Sequence, residues 1–403
     1  MIQMLSGTKV RCAASEDRTQ SQGDSGVEKD LVTEFYHLLL LRVSQDLTTL
    51  LLGEITGIVT NGYPDLKAAS RDISLDFRGH LCFHGNGEAL AMNTTPQMLN
   101  WTSVNEVVLL GLTERPLLQN IFFMVFLIIY TLNLLGNGFI LAIVMLDSDL
   151  HTPMYFFLSN LSFLDICFSS VTVPKMLQSL LTRHKEMSLK ACLTQMHFFH
   201  FLGSSEVLLL TAMSYDRYVA ICRPLHYATV MNTAMCLSLA LGAWSTGFVH
   251  SLFHTLLTAR LPFCGPNRVS HFFCDIKPLL TLACTDTTVN GRLLSLVTGS
   301  LVMASFLLTL LSYALIGVSL LQIQSIAGRM RGFSTCTAHL MVVLLLYGTA
   351  LFTYLRPVTE ESLQIDQIAA VSFTVFTPML NPMIYTLRNK DIQKATRWGR
   401  WRP

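Results

Sequence analysis

The stretch Met213-Ser214-Tyr215-Asp216-Arg217-Tyr218-Val219-Ala220-Ile221-Cys222 sets an acid, a base and an aromatic side by side at the point where a long apolar segment runs out into water. An adjacent carboxylate and guanidinium at a membrane boundary offset each other's desolvation, and either is released by a small helix movement. That is the chemistry of a latch. The triplet alone is a weak signal, because a solvated helix end reads the same way. Its meaning comes from the segments around it.

Those segments are apolar. Hydrophobic residues make up 51% of the 403-residue chain and charged residues only 13%, with a mean hydropathy of +0.46, too apolar for a soluble protein. Runs long enough to cross about 30 Å of hydrocarbon fall near 119-145, 154-180, 193-221, 234-256, 291-323, 335-355 and 367-388. Seven spans put the two ends on opposite sides of a membrane. The net charge of +2 carries no message, and no basic patch suited to nucleic acid is present in the sequence.

Two local signals predict the orientation. The C-terminal segment carries Arg388, Lys390, Lys394, Arg397, Arg400 and Arg402 against Asp391, which predicts a cytoplasmic tail. The acceptor sequons at Asn93 and Asn100 precede the first span and predict a luminal, hence extracellular, N-terminal side. Arg183, Lys185 and Lys190 run against the charge rule in the loop between the second and third spans. Residues 1-91 differ in kind, holding 20 of the 54 Lys, Arg, Asp and Glu residues. Their apolar pieces, Leu38-Leu41 and Leu47-Leu52, are too short to span. The expectation is a poorly ordered extension added by an upstream start, with Met92 as the working start; the rival is an extracellular domain.

Cys192 opens the third span on its outer side, and Cys264, Cys274 and Cys284 lie in the long loop after the fourth. Four cysteines facing an oxidising lumen predict two bridges, in any of three pairings. A zinc site with His271 beside Cys274 is the alternative, although the spacing is wider than a ligand knuckle. Cys167, Cys222, Cys236 and Cys336 read as packing residues.

Polar groups inside spans need partners away from lipid. Asn137, Asp165, Glu206 and Asn381, in the first, second, third and seventh spans, are expected to face one another. Asp165 and Glu206 would share a proton or hold a small cation such as sodium, or else belong to a hydrogen-bonded network with no ion; the two readings stand even. Gly203 and Glu206 precede Arg217 by 14 and 11 residues, which returns each to within about 40° of its face. His200, Gly203, Ser204 and Val207 follow the i, i+3, i+4, i+7 ridge of a pocket wall, although such a ridge more often packs against another helix. His197 and His200 read as satisfied core histidines rather than metal ligands. Pro378 and Pro382 in the seventh span free backbone carbonyls for Asn381 or its neighbours to bind, so that helix can bend. The polar run from Thr386 to Asp391 is suited to lying on the inner membrane surface. No phosphate loop, nucleophile elbow or zinc-protease helix argues for an enzyme. A transporter would need an internal repeat or paired broken helices, and only one proline-broken helix is present in the sequence.

Four blocks together resemble one family, the olfactory receptors, a branch of the rhodopsin-like G-protein-coupled receptors. Besides Asp216-Arg217-Tyr218, these are Leu150 to Ser162 (LHTPMYFFLSNLS), Arg331 to Leu340 (RGFSTCTAHL) and Pro378 to Asn389 (PMLNPMIYTLRN). The match runs from about Met92 to Lys390. It departs from the family pattern at Arg331, Ala338 and Ser214. The resemblance implies an all-α fold: a seven-transmembrane helix bundle over 92-390, a short C-terminal amphipathic helix and a basic cytoplasmic tail over 391-403. It implies no enzyme, and no cofactor beyond an allosteric sodium ion. It implies disulfides Cys192–Cys274 and Cys264–Cys284. It also implies an odorant pocket lined by Phe199, His200, Gly203 and Ser204 on the third span, by Val297, Thr298 and Leu301 on the fifth, and by Ala350, Leu351 and Tyr354 on the sixth, with Tyr347 beneath as a toggle. The coupling switch would comprise Asp216, Arg217, Tyr218, Tyr313, His339, Asn381, Pro382 and Tyr385, Arg217 leaving Asp216 for Tyr313 and Tyr385 on activation. The implied partners are a small volatile odorant of the airborne class, a stimulatory olfactory-type G protein that raises cyclic AMP, membrane lipids and trafficking chaperones, at the plasma membrane.

Overall fold

Proline and capping side chains set where the helices begin. Pro116 and Pro153 each open a helix, where their missing N–H is not needed; the Ser188 and Asn232 side chains accept the Ala191 and Met235 N–H groups and open two more. The computed structural model describes residues 73–75, 81–83, 104–182, 185–264, 267–354, 360–388 and 390–397. Seven long helices result: α1 (Pro116–Leu146), α2 (Pro153–Thr182), α3 (Leu189–Cys222), α4 (Thr233–Ala259), α5 (Thr288–Leu321), α6 (Ile326–Tyr354) and α7, which runs as Glu360–Val371, Ser372–Phe376 and Thr377–Arg388. A short helix α8 (Lys390–Arg397) follows. The middle piece of α7, like Leu294–Thr298 in α5, is a π-helical turn.

The seven expected spans are therefore seven helices. Among the described residues, α1, α2, α4, α5 and the Asp366–Thr386 part of α7 are apolar and long enough to cross a membrane on composition and length alone, and α6 contains the apolar stretch His339–Thr353. The exception is α3, with 34 residues or roughly 50 Å. Position explains α3. It packs against α2, α4, α5 and α6, so the unbroken run Leu209–Asp216 is buried in protein rather than facing lipid, and polar side chains find partners there.

One small sheet departs from the all-helical expectation. At the end of the bundle carrying the disulfides, β3 (Glu106–Leu109) lies between β4 (Glu186–Ser188), antiparallel, and β5 (Arg268–Val269), parallel. Val107, Leu109, Met196, Phe263, Ile276 and Leu279 bury one apolar cluster beneath it. The structure joins Cys192 to Cys274 and Cys264 to Cys284, with Cα atoms 5.3 and 5.8 Å apart. Cys274 is thus committed to α3, which leaves it no thiolate for zinc beside His271. A separate unit, Thr19–Trp101, contains an antiparallel pair, β1 (Ile73–Leu75) and β2 (Leu81–Phe83). Asn93, Asn100 and the remainder of 1-91 lie outside the described residues.

The proline-bearing helix α7 is satisfied by an unexpected residue. Pro382 has no N–H to offer the Pro378 carbonyl one turn back, and the amide of Asn137 on α1 donates to that oxygen at 3.0 Å. Asn381 instead donates to both carboxylate oxygens of Asp165, at 3.1 and 3.0 Å. A Cβ at Gly136 would come within 2.9 Å of the Pro382 ring, so α1 and α7 meet across a residue without a side chain.

Gly247 on α4 has the same role against α3, since a Cβ there would lie 2.8 Å from the Phe201 carbonyl oxygen, whereas one at Gly242 would meet nothing within 4 Å. Gly247→Val is expected to force the helices apart and cost about 1–3 kcal/mol, seen as a lower melting temperature of the solubilised protein. Gly242→Ala should leave that temperature unchanged or raise it.

Candidate functional site

Between the disulfide end and the middle of the bundle, five helices line a cavity with about 510 Å³ of empty space counted out through its open mouth. From α3 come Phe199, His200, Gly203 and Ser204, with Glu206 and Val207 deeper; α5 contributes Thr298 and Val302. Leu346, Thr349 and Ala350 of α6 and two rings, Phe168 of α2 and Phe373 of α7, complete the wall. Gly203 leaves room for Phe168, whose ring stacks on Phe199 at 5.1 Å. Phe273 closes on Phe199 from the loop, at 4.6 Å.

Of the residues expected here, Phe199, His200, Gly203, Ser204, Thr298 and Ala350 line the cavity. Val297, Leu301 and Leu351 do not, and the Tyr354 side chain lies outside the described residues. On α5 the inward positions are Thr298, the last residue of the π turn Leu294–Thr298, and Val302 about one turn on. Phe373 sits in the second such turn, on α7. Tyr347 lies off the wall, its hydroxyl 2.9 Å from Thr211 and donating to the Val207 carbonyl at 3.1 Å. Glu206, read from the sequence as a partner of Asp165, lines the cavity with its Oε1 lacking a hydrogen-bond partner. Among the described residues, no group of three or more His, Cys, Asp or Glu side chains is placed to hold a metal ion.

The loop after α4 is fastened over this cavity by more than its disulfide. His200 Nε2 lies 2.9 Å from Asp275 Oδ1, and Asp275 also caps the short helix Ile276–Leu280 through the Ile276 N–H. One residue on, Lys277 is buried and donates to Asp366 Oδ2 of α7 at 2.9 Å and to the Thr353 carbonyl of α6 at 2.6 Å. No sequence spacing connects Lys277 to Asp366; the only hint is that a buried helix carries a lysine at all. Burial alone would raise the Asp275 carboxyl, but the His200 ring, with His271 and the Ile276 N–H, holds it below the usual carboxylate range. Burial pushes the His271 imidazole down to about 4, against the opposing pull of Asp275.

At the far end of α3 the latch is closed. Arg217 Nε donates to Asp216 Oδ2 at 2.9 Å, joined by Nη2, and the hydroxyl of Tyr227, in the connection to α4, donates to Asp216 Oδ1 at 2.8 Å. Tyr227 is a third member that the sequence reading missed. Tyr218 is buried beside Tyr215. Across from the pair, Tyr313 of α5 bonds His339 of α6, and the buried Tyr385 hydroxyl of α7 has no hydrogen-bond partner. All three lie within electrostatic reach of Arg217. Ser214, a departure from the family pattern, donates to the Thr211 carbonyl at 2.7 Å.

Lys277→Met removes the buried cation beside the Asp366 carboxylate and should cost about 3–5 kcal/mol of stability, most of it recovered in Lys277→Met/Asp366→Leu; thermal denaturation in detergent reads both. His271 enters the fold neutral, so its contribution is full above its unfolded value of about 6.5 and is lost as pH falls toward 4. Across that window roughly 3 kcal/mol should disappear. His271→Phe should flatten the fall in melting temperature over the same range.

The family profile described as "Olfactory receptor" matches residues 126–398. The chain is 54% identical to human olfactory receptor 12D1 over 299 residues, which covers 74% of this chain and 93% of that protein. It is 52% identical to human olfactory receptor 12D2, over 74% of this chain and 97% of the relative. Against mouse olfactory receptor 4E2 the identity is 49%, over 75% and 98% of the two chains. With seven helices, a cavity roofed by a disulfide-tied loop and an Asp-Arg latch at the other end of α3, this multi-pass membrane protein belongs to the olfactory receptor family.

Proposed function

We propose that this chain is a receptor for small volatile odorants, which bind in the cavity between α2, α3, α5, α6 and α7 and signal through a stimulatory, olfactory-type G protein that raises cyclic AMP. The cavity carries the reading: its wall is mostly apolar and aromatic, with hydroxyls, an imidazole and the Glu206 carboxyl as its few polar points, as suits a volatile with one hydrogen-bonding group. The disulfide end faces outside and the basic tail the cytoplasm of the plasma membrane, with trafficking chaperones assisting export. An odorant that binds better when the end of α6 beside Arg217 of α3 has swung outward stabilises that state by its differential affinity. Arg217 then leaves Asp216 and Tyr227 for Tyr313 and Tyr385, opening a cleft for the G protein. The proximity of those tyrosines to Arg217 supports this route.

The test is cyclic AMP output from cells expressing an olfactory G protein with either the full chain or the form starting at Met92, challenged with a broad volatile panel. A dose-dependent response that Arg217→Ala reduces by at least about tenfold at matched surface level is the expected result. Silence of both forms at good surface expression, or a response indifferent to Arg217→Ala, contradicts the proposal.

A further inference from the structure

Glu206 of α3 sits where a carboxyl group is hardest to satisfy. It is buried in a cavity wall that includes Val207, Leu346 and Phe373, and its Oε1 has no hydrogen-bond partner. The other polar points of that wall are engaged elsewhere: His200 with Asp275, Ser204 and Thr298 with His250, and the Thr349 hydroxyl with the Leu345 carbonyl. Among the described residues of the wall none is a lysine or arginine. Behind the wall, Asp165 of α2 lies within electrostatic reach of Glu206, and its carboxyl oxygens accept from the neutral amide of Asn381. Lys277 and Arg217 are paired with other carboxylates, Asp366 and Asp216. One carboxyl oxygen thus faces a ligand-sized space unpaired, with a second carboxyl close by.

A buried polar group without a partner costs about 1–3 kcal/mol, and more when it is charged. A ligand that brings the missing partner recovers that cost on binding. Folding has already taken the Glu206 carboxyl out of water, so only the ligand's own desolvation opposes the pairing. A primary amine meets the need best, because its ammonium form offers three N–H donors and a positive charge. The result does not depend on which group carries the proton beforehand. A neutral amine that meets a protonated carboxyl takes up that proton, the O–H bond breaking as the N–H bond forms, and gives the same ammonium–carboxylate pair as an ammonium meeting a carboxylate. An alcohol supplies one hydrogen bond and no charge. A carboxylate ligand adds a like charge beside two carboxyls, with no cation in the wall to receive it.

We propose that the cavity selects volatile primary amines, whose ammonium group pairs with Glu206, over alcohols of the same chain length, and rejects the corresponding carboxylic acids. This inference rests on the cavity being the odorant site. The experiment reads cyclic AMP from cells expressing the full-length receptor and an olfactory G protein, against cells lacking the receptor. The probes are the straight-chain amines from butylamine to octylamine, with the alcohols and carboxylic acids of matching length, in buffered medium. Half-maximal concentrations should be about tenfold lower for the amines than for the alcohols, and the acids should be weaker than both. Glu206→Gln, which keeps size and polarity but removes the charge, should bring the amine-to-alcohol ratio to within about twofold while the alcohols still act. A merely structural role for Glu206 would weaken both classes alike and leave the ratio unchanged, which overturns the inference. Glu206→Asp, with its carboxyl drawn back, should keep the amine preference. If Glu206→Gln is silent to every volatile, the order in the wild type and in Glu206→Asp decides: alcohols or acids acting at lower concentration than amines in either overturns the inference. A response to other volatiles but to none of the amines also overturns it while leaving the odorant reading intact; no response to any volatile at good surface expression removes both.

Discussion

A helix bundle in hydrocarbon has no water to satisfy its polar groups, so they must find their partners within the protein. The arrangement of α1, α2 and α7 follows from that constraint. Proline at 382 removes a donor from the seventh helix, and the orphaned carbonyl of Pro378 draws in Asn137. Asn137 also donates to Asn133 Oδ1 at 2.6 Å, and Asn133 in turn donates to Ser169 on α2. Asp165, on the same helix as Ser169, is held by Asn381 from α7. A backbone defect that permits bending is thus tied to the buried carboxyl beside which the bend would occur.

The same economy places the two ends of α3 under different control. At the disulfide end the loop after α4 is fastened covalently to α3, by a histidine–carboxylate contact to α3 again, and by the Lys277 ammonium to both α6 and α7. At the other end a single carboxylate, Asp216, holds the guanidinium next to it and the phenol of Tyr227.

Cavity chemistry is likewise set from behind the wall. Ser204, Thr298 and His200 are polar points of the wall, beside Glu206 and Thr349, and each of the three is engaged by a residue outside it: His250 for the first two, Asp275 for the third. What a ligand meets at these three is a hydroxyl or imidazole already held by another partner.

By itself the sequence determined whatever depends on composition and local spacing: the number of spans, the Asp216-Arg217 latch, the disulfide end marked by Cys192, and the α3 face carrying Phe199, His200, Gly203 and Ser204, because an unbroken helix keeps its phase. The resemblance supplied the disulfide pairing that spacing left open. Only the tertiary structure decided that Asn137 rather than Asn381 answers Pro378, that Lys277 reaches Asp366, that Tyr227 joins the latch and that His250 stands behind Ser204. These pairs lie far apart in the chain, and no local period links them. On α5 the resemblance named Val297, Thr298 and Leu301, and the structure puts Thr298 and Val302 on the wall, just past a π turn over Leu294–Thr298 whose altered helical phase no local sequence period announces.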